Sequence, residues 1–419
     1  MRNDQGPGVS HARSGGYQVW VTALLSLNFG ILFFDRNALN FLMPFVQPDL
    51  QLSNTQVGLF SSALSLTWAL SGLMVGRISD KLGSRKPVVV IATIAFCLCS
   101  FVSGMASSFM MLLGARLLMG AAEGGVMPVS HSIIVSEVAP ERRGMAMGVA
   151  QNLGSNLLGS GLAPILLVPV AMAVGWRTGF YLAALPGLIT AALIWFTLRE
   201  PPVEAHDEAN PKVTLRDAFA HRNVILCAII AILLVSYLVV CWAFMPLFLT
   251  KGRGFAPETM SWLMATLGVS AGLGSFVVPA ISDAIGRRPV MIFFSFFGAI
   301  LPLAAIYYQG PTIVLAAIFF FGWGLNGLFP MFMATIPAES VDPRLTATLT
   351  GVVMGTGEVV GGVLSPIFAG TLADAYGLNA PMWLMLGCTL LAGLCTLGLV
   401  ESAPRIVARR ATPALAAGA

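Results

Sequence analysis

Twelve times along this chain a stretch of roughly twenty or more residues runs with few or no charges, about the length a helix needs to cross ~30 Å of hydrocarbon. The stretches lie near 18–45, 56–78, 87–106, 109–136, 144–173, 178–198, 223–249, 258–282, 290–308, 312–338, 345–372 and 378–400. A chain built this way must turn most of its outer surface to lipid. Only 10% of its 419 residues are charged while 57% are apolar, against roughly 25% charged in soluble domains. That is too little polar side chain to cover a water-facing surface. The stretches span the whole length, so neither a signal peptide nor a single anchor accounts for them. The expectation is an all-α integral membrane protein with twelve transmembrane helices.

Charge organises the segments. Residues 199–222 carry Glu200, Glu204, Asp207, Glu208, Lys212, Arg216, Asp217 and Arg222, a solvated cytoplasmic linker between two six-helix halves. The layout is a Gly- and Ser-rich disordered tail (1–15), an N-terminal half (16–198), the linker (199–222), a C-terminal half (223–401) and a second cytoplasmic tail (402–419). Of the 23 Lys and Arg, 18 fall in the tails, the linker and the loops on their side of the membrane. Cytoplasmic loops carry such an excess, which places both termini inside, in the cell inner membrane. A shift of 203 residues carries Asp80, Gly83 and Arg85 onto Asp283, Gly286 and Arg288, and Pro140 onto Pro343. Parallel pseudo-repeats of this kind suit a protein that rocks two halves around a midplane site.

Five ionisable residues fall inside the apolar stretches: Asp35, Arg36, Arg116, Glu123 and Glu358. Each costs at least ~2.5–3.5 kcal/mol at mid-helix, so intramembrane charge marks a functional site by default. Arg116 and Glu123 are seven residues apart, two turns or ~10.5 Å along one helix face, and can look into one cavity. Asp35 and Arg36 sit side by side at its rim. Gln151, Asn152, Ser155 and Asn156 make the fifth helix too polar for a lipid face, so they are expected to line the cavity. Trp68, Tyr237 and Trp242 are candidates to shape the pocket, and Asn326, the shifted counterpart of Glu123, is a polar ligand from the second half. Glycine pairs four apart, such as Gly120 and Gly124, Gly144 and Gly148, and Gly351 and Gly355, let helices approach closely. The six cysteines sit in apolar stretches without zinc-ligand spacing, so no metal and no cofactor are expected. A net charge of +4 is too small to argue for nucleic acid.

The loop 76-GRISDKLGSRK-86 resembles the G-x-x-x-D-x-x-G-R-[RK] signature of the major facilitator superfamily, and 279-PAISDAIGRR-288 is a worn copy. By that resemblance Gly76, Asp80 and Arg85, with Asp283 and Arg288, latch the cytoplasmic side. Within the superfamily, 34-FDRNALN-40 and 116-RLLMGAAEGG-125 resemble the anion:cation symporter branch, which includes bacterial sugar-acid permeases, sialin and the vesicular glutamate transporters. The loop 137-EVAPERRG-144 fits the same branch and adds Glu137 and Arg142 to the gate. The resemblance implies that Arg36 and Arg116 hold a substrate carboxylate, while Asp35 and Glu123 take up the coupled proton. Glu358 departs from the branch, where a neutral residue, often Asn, is expected; it is a further proton site or a substrate selector. Spinster-like lipid transporters share the helix-1 and helix-4 pattern.

The physical logic stands beside the family. A carboxylate in low dielectric resists ionisation unless an Arg stabilises it, and the Arg fork binds carboxylates bidentately. A substrate that claims the Arg leaves the acid to prefer a proton. No Gly-Lys dipeptide occurs, so this chain has no Walker A loop. The expectation is not an enzyme but a monomeric, proton-coupled symporter in the lipid bilayer, importing a small organic anion by alternating access. The alternatives are a proton-coupled exporter of a lipid or amphipathic anion, and a structural membrane protein. Sugar acids, aromatic acids and dicarboxylates fit equally well at this stage. If Asp80 belongs to a latch and not to the pocket, Asp80→Asn will cut transport while leaving substrate affinity within about threefold; parallel uptake and binding assays check this, and a large affinity loss would move the loop into the site.

Overall fold

The computed structural model describes residues 14–82, 84–201, 221–342 and 345–407, with the side chains of 73, 76–78, 80–82 and 347 outside that set. Each apolar stretch forms a helix, most of them running a few residues past their apolar core because the polar flanks at the interface are helical too. The N-terminal half holds α1 (Gly15–Asp49), α2 (Asn54–Leu82), α3 (Lys86–Gly104), α4 (Phe109–Glu137), α5 (Pro140–Val174) and α6 (Trp176–Thr197). The C-terminal half holds α7 (Arg222–Gly252), α8 (Pro257–Ile285), α9 (Arg287–Tyr307), α10 (Thr312–Glu339), α11 (Thr348–Tyr376) and α12 (Asn379–Leu397). Among the described residues, all but α2 are long and apolar enough by themselves to cross a membrane. At 29 residues α2 has the length as well. Most of the linker, 202–220, and the outer parts of both tails lie outside the described residues.

Helix ends follow local chemistry. Pro stands in the first turn of α3, α5 and α8, where a missing N–H costs nothing. Ser108 caps α4 by accepting the Met111 N–H at 3.3 Å. Gly175 and Gly377 follow α5 and α11 with φ of 94° and 81°, a left-handed backbone that only glycine adopts cheaply.

The two halves repeat with an offset of 202 residues here, not 203. Glu200 accepts the backbone N–H groups of Arg85 and Lys86, at 2.5 and 3.3 Å. Its counterpart Glu401 accepts those of Arg287 and Arg288, at 2.8 and 3.1 Å. Arg85 therefore matches Arg287. The expectation for Arg288 is corrected accordingly: Ser84 is an extra residue in the first loop, and it displaces the alignment by one.

Among the described residues, hydrogen bonds between the halves gather at one end, beside the α1–α2 loop. The Asp374 carboxylate of α11 accepts the Asn54 and Thr55 N–H groups at the N-terminus of α2, both at 2.8 Å, and the Thr55 hydroxyl at 2.6 Å. An anion on a helix N-terminus meets orphan donors and the positive end of the dipole together. Lys251 of α7 donates to the Gln47 side chain of α1 at 2.8 Å. Backbones touch here as well: a Cβ on Gly58 would fall 2.0 Å from the Pro366 carbonyl oxygen. At the opposite ends of α5 and α11 the picture reverses. A Cβ on Gly144, Gly351 or Gly355 would meet nothing within 4 Å, and one on Gly148 only the edge of Phe276 at 3.9 Å. Those two glycine pairs, expected to hold helices together, make no such contact in this arrangement.

The Asp374 cap is thus one of the bonds that must break before the halves part at this end. In a Ser61→Cys background, with the new thiol in the cavity wall, Asp374→Ala should raise labelling by an impermeant maleimide added from the α1–α2 loop side about tenfold, as expected for losing hydrogen bonds to a charged group. Unchanged labelling would show that the seal is held elsewhere.

Candidate functional site

Between the halves lies a cavity of about 410 Å³, within the range of small-molecule sites. Part of its polar lining comes from helices that are not regular α-helix where they face it. Gln151 and Asn152 sit in a π-wound stretch, Val149–Leu153, and Ser155 and Asn156 in a second, Ser155–Leu162. Glu358 lies in a π-wound stretch of α11, Gly357–Leu364, and Asn326 in a tighter 3₁₀ stretch of α10, Trp323–Leu328. Such irregular turns redirect side chains and recur at functional sites. From α1 and α2 come Arg36, Asn37, Asn40, Ser61, Ser65 and Trp68.

The charges form two layers. Arg36 is the outer one, its side chain 18% exposed, with its guanidinium 5.3 Å from the Trp68 ring and 5.4 Å from the Phe33 ring. Its Nε lies 3.8 Å from Oε2 of Glu123, which is fully buried. That separation is an ion pair without a hydrogen bond, and both Glu123 carboxylate oxygens are buried without a hydrogen-bond partner. Arg116 forms the inner layer. It touches the cavity yet is only 1% exposed, packed over the Phe180 ring at 5.6 Å and donating to the Arg36 carbonyl oxygen at 3.3 Å. Asp35 is wholly buried and accepts the Ser100 hydroxyl of α3. Arg116 lies within electrostatic reach of Asp35, Glu123 and Arg36.

This differs from the expected rim of adjacent charges. Successive residues on a helix point about 100° apart, so Arg36 turns to the cavity while Asp35 turns away to α3. Glu123 likewise stands behind Arg36 and not in the cavity wall, because α4 loosens into a turn at Gly124–Gly125 directly after it. Glycine brings these parts together. A Cβ on Gly120 would sit 2.3 Å from the Leu64 carbonyl oxygen, and one on Gly124 2.3 Å from that of Trp68. Only without side chains can α4 lie this close to α2, which sets Trp68 over Arg36.

Of the other residues singled out by the sequence, Trp68, Gln151, Asn152, Trp242, Asn326 and Glu358 reach the cavity. Tyr237 does not, and its expected role in binding is corrected: it is fully buried, donates its hydroxyl to the Gly298 carbonyl at 2.9 Å and packs on Trp323. It acts one step back, since Trp323 in turn meets Trp242 edge-on at 5.4 Å. Asn37, Asn40, Ser61 and Ser65 were missed. Their signal was present, for 40 lies one turn from both 36 and 37 on α1, and 61, 65 and 68 share a face of α2, at helical spacing.

At the proposed gate, Gly76 and Asp80 have side chains outside the described residues. Arg85 is buried and donates to the Ser132 carbonyl at 3.1 Å and the Ser136 hydroxyl at 2.5 Å, both on α4; Glu137 is buried at the end of that helix. Arg142 is exposed. In the other half Arg287 pairs with Asp283 at 2.5 Å and with Glu339 at 2.9 Å, while Arg288 reaches the Leu397 carbonyl at 2.9 Å. The run 268-GVSAG-272 has the spacing of a hydrolase nucleophile elbow, but it lies mid-helix in α8 and Ser270 donates to the Phe320 carbonyl at 2.5 Å, so it serves packing.

The chain matches the Major Facilitator Superfamily over residues 25–257 and, in a second match, over 239–417. It belongs to that superfamily. The transporter is 27% identical over 383 residues to the hexuronate transporter of Bacillus subtilis, covering 85% of this chain and 88% of that one. It is 23% identical to a probable sulfoacetate transporter of Cupriavidus necator, covering 85% and 87%. Among solved structures, a bacterial homolog of the human lysosomal transporter Spinster, inward-facing and unoccupied, superposes with a TM-score of 0.75 at 20% identity, covering 92% of this chain and 98% of that one. The transporter is therefore a multi-pass membrane protein of twelve helices with its cavity at the junction of the halves.

The two arginines should separate under mutation. Arg36→Ala should abolish ligand binding with little loss of thermal stability, because Glu123, left without its countercharge, can take up a proton. Arg116→Ala should also destabilise the transporter, by about 3–5 kcal/mol, since it strips a buried network of its inner cation. Ligand titration and thermal unfolding on the same detergent-solubilised proteins check both; equal stability loss in the two variants would contradict the layering.

Proposed function

We propose that the transporter is a proton-coupled symporter that imports a small organic carboxylate by alternating access. One observation carries this reading: the most exposed cation of the cavity, Arg36, is also the ion-pair partner of a fully buried acid, Glu123, at 3.8 Å. A substrate carboxylate that enters between Trp68 and the amides of α5 takes the Arg36 guanidinium, whose fork fits it. Glu123 then faces low dielectric without its countercharge, and the neutral acid becomes its favoured form. Binding and protonation thus reinforce each other. When the substrate leaves, Arg36 returns to Glu123 and the proton is released. Deeper in the wall Arg116 lies within electrostatic reach of Asp35, and Ser100 fixes that acid.

The names of two relatives, a hexuronate and a sulfoacetate transporter, agree with an anionic substrate. The excess of Lys and Arg on one side favours both termini in the cytoplasm of the cell inner membrane. In that orientation the Asp374 seal faces outward and the described state opens inward. A monomer suffices, because both halves of the cavity come from one chain.

Glu123→Gln keeps the shape of the protonated acid and removes its charge. Reconstituted with a transported carboxylate, this variant should still exchange it in counterflow at a rate within about tenfold of the parent, yet fail to accumulate it under an imposed pH gradient. Retained concentrative uptake would remove Glu123 from the coupling step.

A further inference from the structure

We infer that Glu358 selects the substrate's far end, so that the transporter takes a monoanion bearing a hydroxyl or ammonium group opposite its carboxylate and rejects dicarboxylates of the same length. The inference rests on the carboxylate reading above and narrows it to a chemical class. Arg36 and Glu358 both line the cavity, one from α1 and one from α11. Glu358 is within electrostatic reach of Arg36, so an acid and a base line a single binding space.

The position of Glu358 is built, not incidental. The π-wound stretch begins at Gly357, one residue before it. Gly361 and Gly357 press α11 onto α7, where a Cβ would meet the Ile232 carbonyl oxygen at 2.7 Å and the Ala231 Cβ at 2.9 Å. Gly362 is less tightly packed: a Cβ there would lie 3.3 Å from Oε2 of Glu358 and 3.7 Å from the Ser65 hydroxyl. The Glu358 carboxylate therefore lies over Gly362, beside Ser65 at the seam of α2 and α11. Trp68, the ring over Arg36, is one turn further along α2.

Charge then decides what fits. Two cations, Arg36 and Arg116, face three carboxylates, Asp35, Glu123 and Glu358, in and behind this cavity. A single substrate carboxylate has Arg36 to meet. A second one, reaching the α11 side of the cavity, would meet Glu358 beside Ser65 while Arg36 is already engaged by the first. A hydroxyl or ammonium at that end instead donates to the Glu358 oxygen. The neighbouring side chains Asn37, Asn40, Gln151, Asn152 and Asn326 bring hydrogen-bonding capacity but no further positive charge.

The test uses matched pairs that differ only at the far end: D-gluconate against D-glucarate, and 6-aminohexanoate against adipate. Competition or thermal-shift titrations are run on the purified full-length transporter and on Glu358→Gln, with Glu358→Asn as a second variant should the first fold poorly. The wild-type protein should prefer gluconate and 6-aminohexanoate by at least about tenfold, as the clash of like charges requires. In either variant the preference should fall to within about threefold, chiefly by a gain for the dicarboxylates, since neutralising the repelling group is what removes discrimination. A preference unchanged by both substitutions overturns the role of Glu358 and leaves the carboxylate reading standing. Equal binding of both members by the wild-type protein does the same. If no member of either pair binds the wild-type protein, the carboxylate reading falls for these acids and the inference falls with it.

Discussion

An ion pair held at membrane depth governs the rest of this structure. Arg36 and Glu123 stand 3.8 Å apart with the acid fully buried, in a setting where an uncompensated charge is costly. Glu123 is closed off from water, while Arg36 faces the cavity. The pair is close enough to neutralise itself and too far apart to be hydrogen-bonded, so each partner can be claimed by something else. A salt bridge with ideal geometry would resist that exchange. The spacing leaves room for competition, and competition is what a coupled carrier needs.

Holding such a pair demands close helices and irregular ones. Gly120 and Gly124 let α4 approach α2 until backbone meets backbone, which no larger residue would allow. The break at Gly124–Gly125, the π-wound stretches of α5 and α11 and the 3₁₀ stretch of α10 then turn polar side chains inward. These irregular turns line the cavity together with regular stretches of α1, α2 and α7. Backbone groups freed from ordinary helical bonding are tolerated at this depth only where protein or a polar cavity meets them.

The two ends of the molecule are unlike. At one, Asp374 caps α2 across the seam and the crossing of Gly58 with Pro366 leaves no space. At the other, Gly144, Gly351 and Gly355 face nothing within contact distance. Both halves carry related helices, and small residues stand at both ends of the bundle, packed at one and open at the other.

Sequence alone determined the helices, their number and their division, because a lipid solvent leaves a chain of this composition little else to do. It also located the charges worth noticing, since each intramembrane Arg, Asp or Glu stands out against an apolar background. The polar face of α5 was legible from Gln151 to Asn156 for the same reason. Tertiary structure decided which way those groups look. Asp35 and Arg36 are adjacent in the chain yet serve opposite sides of α1, a consequence of helical rotation against neighbours that the sequence does not name. Tyr237 and Trp242 read alike as aromatics and both pack on Trp323, but only the fold ties Tyr237 to the Gly298 carbonyl and sets Trp242 in the cavity wall. The repeat was visible at an offset of 203, and one extra serine in a loop, revealed by the matching caps of Glu200 and Glu401, moved the counterpart of Arg85 from 288 to 287. Composition and spacing fix what a segment must be. Which neighbour each side chain meets depends on how distant helices pack, and that is settled only when the whole bundle closes around them.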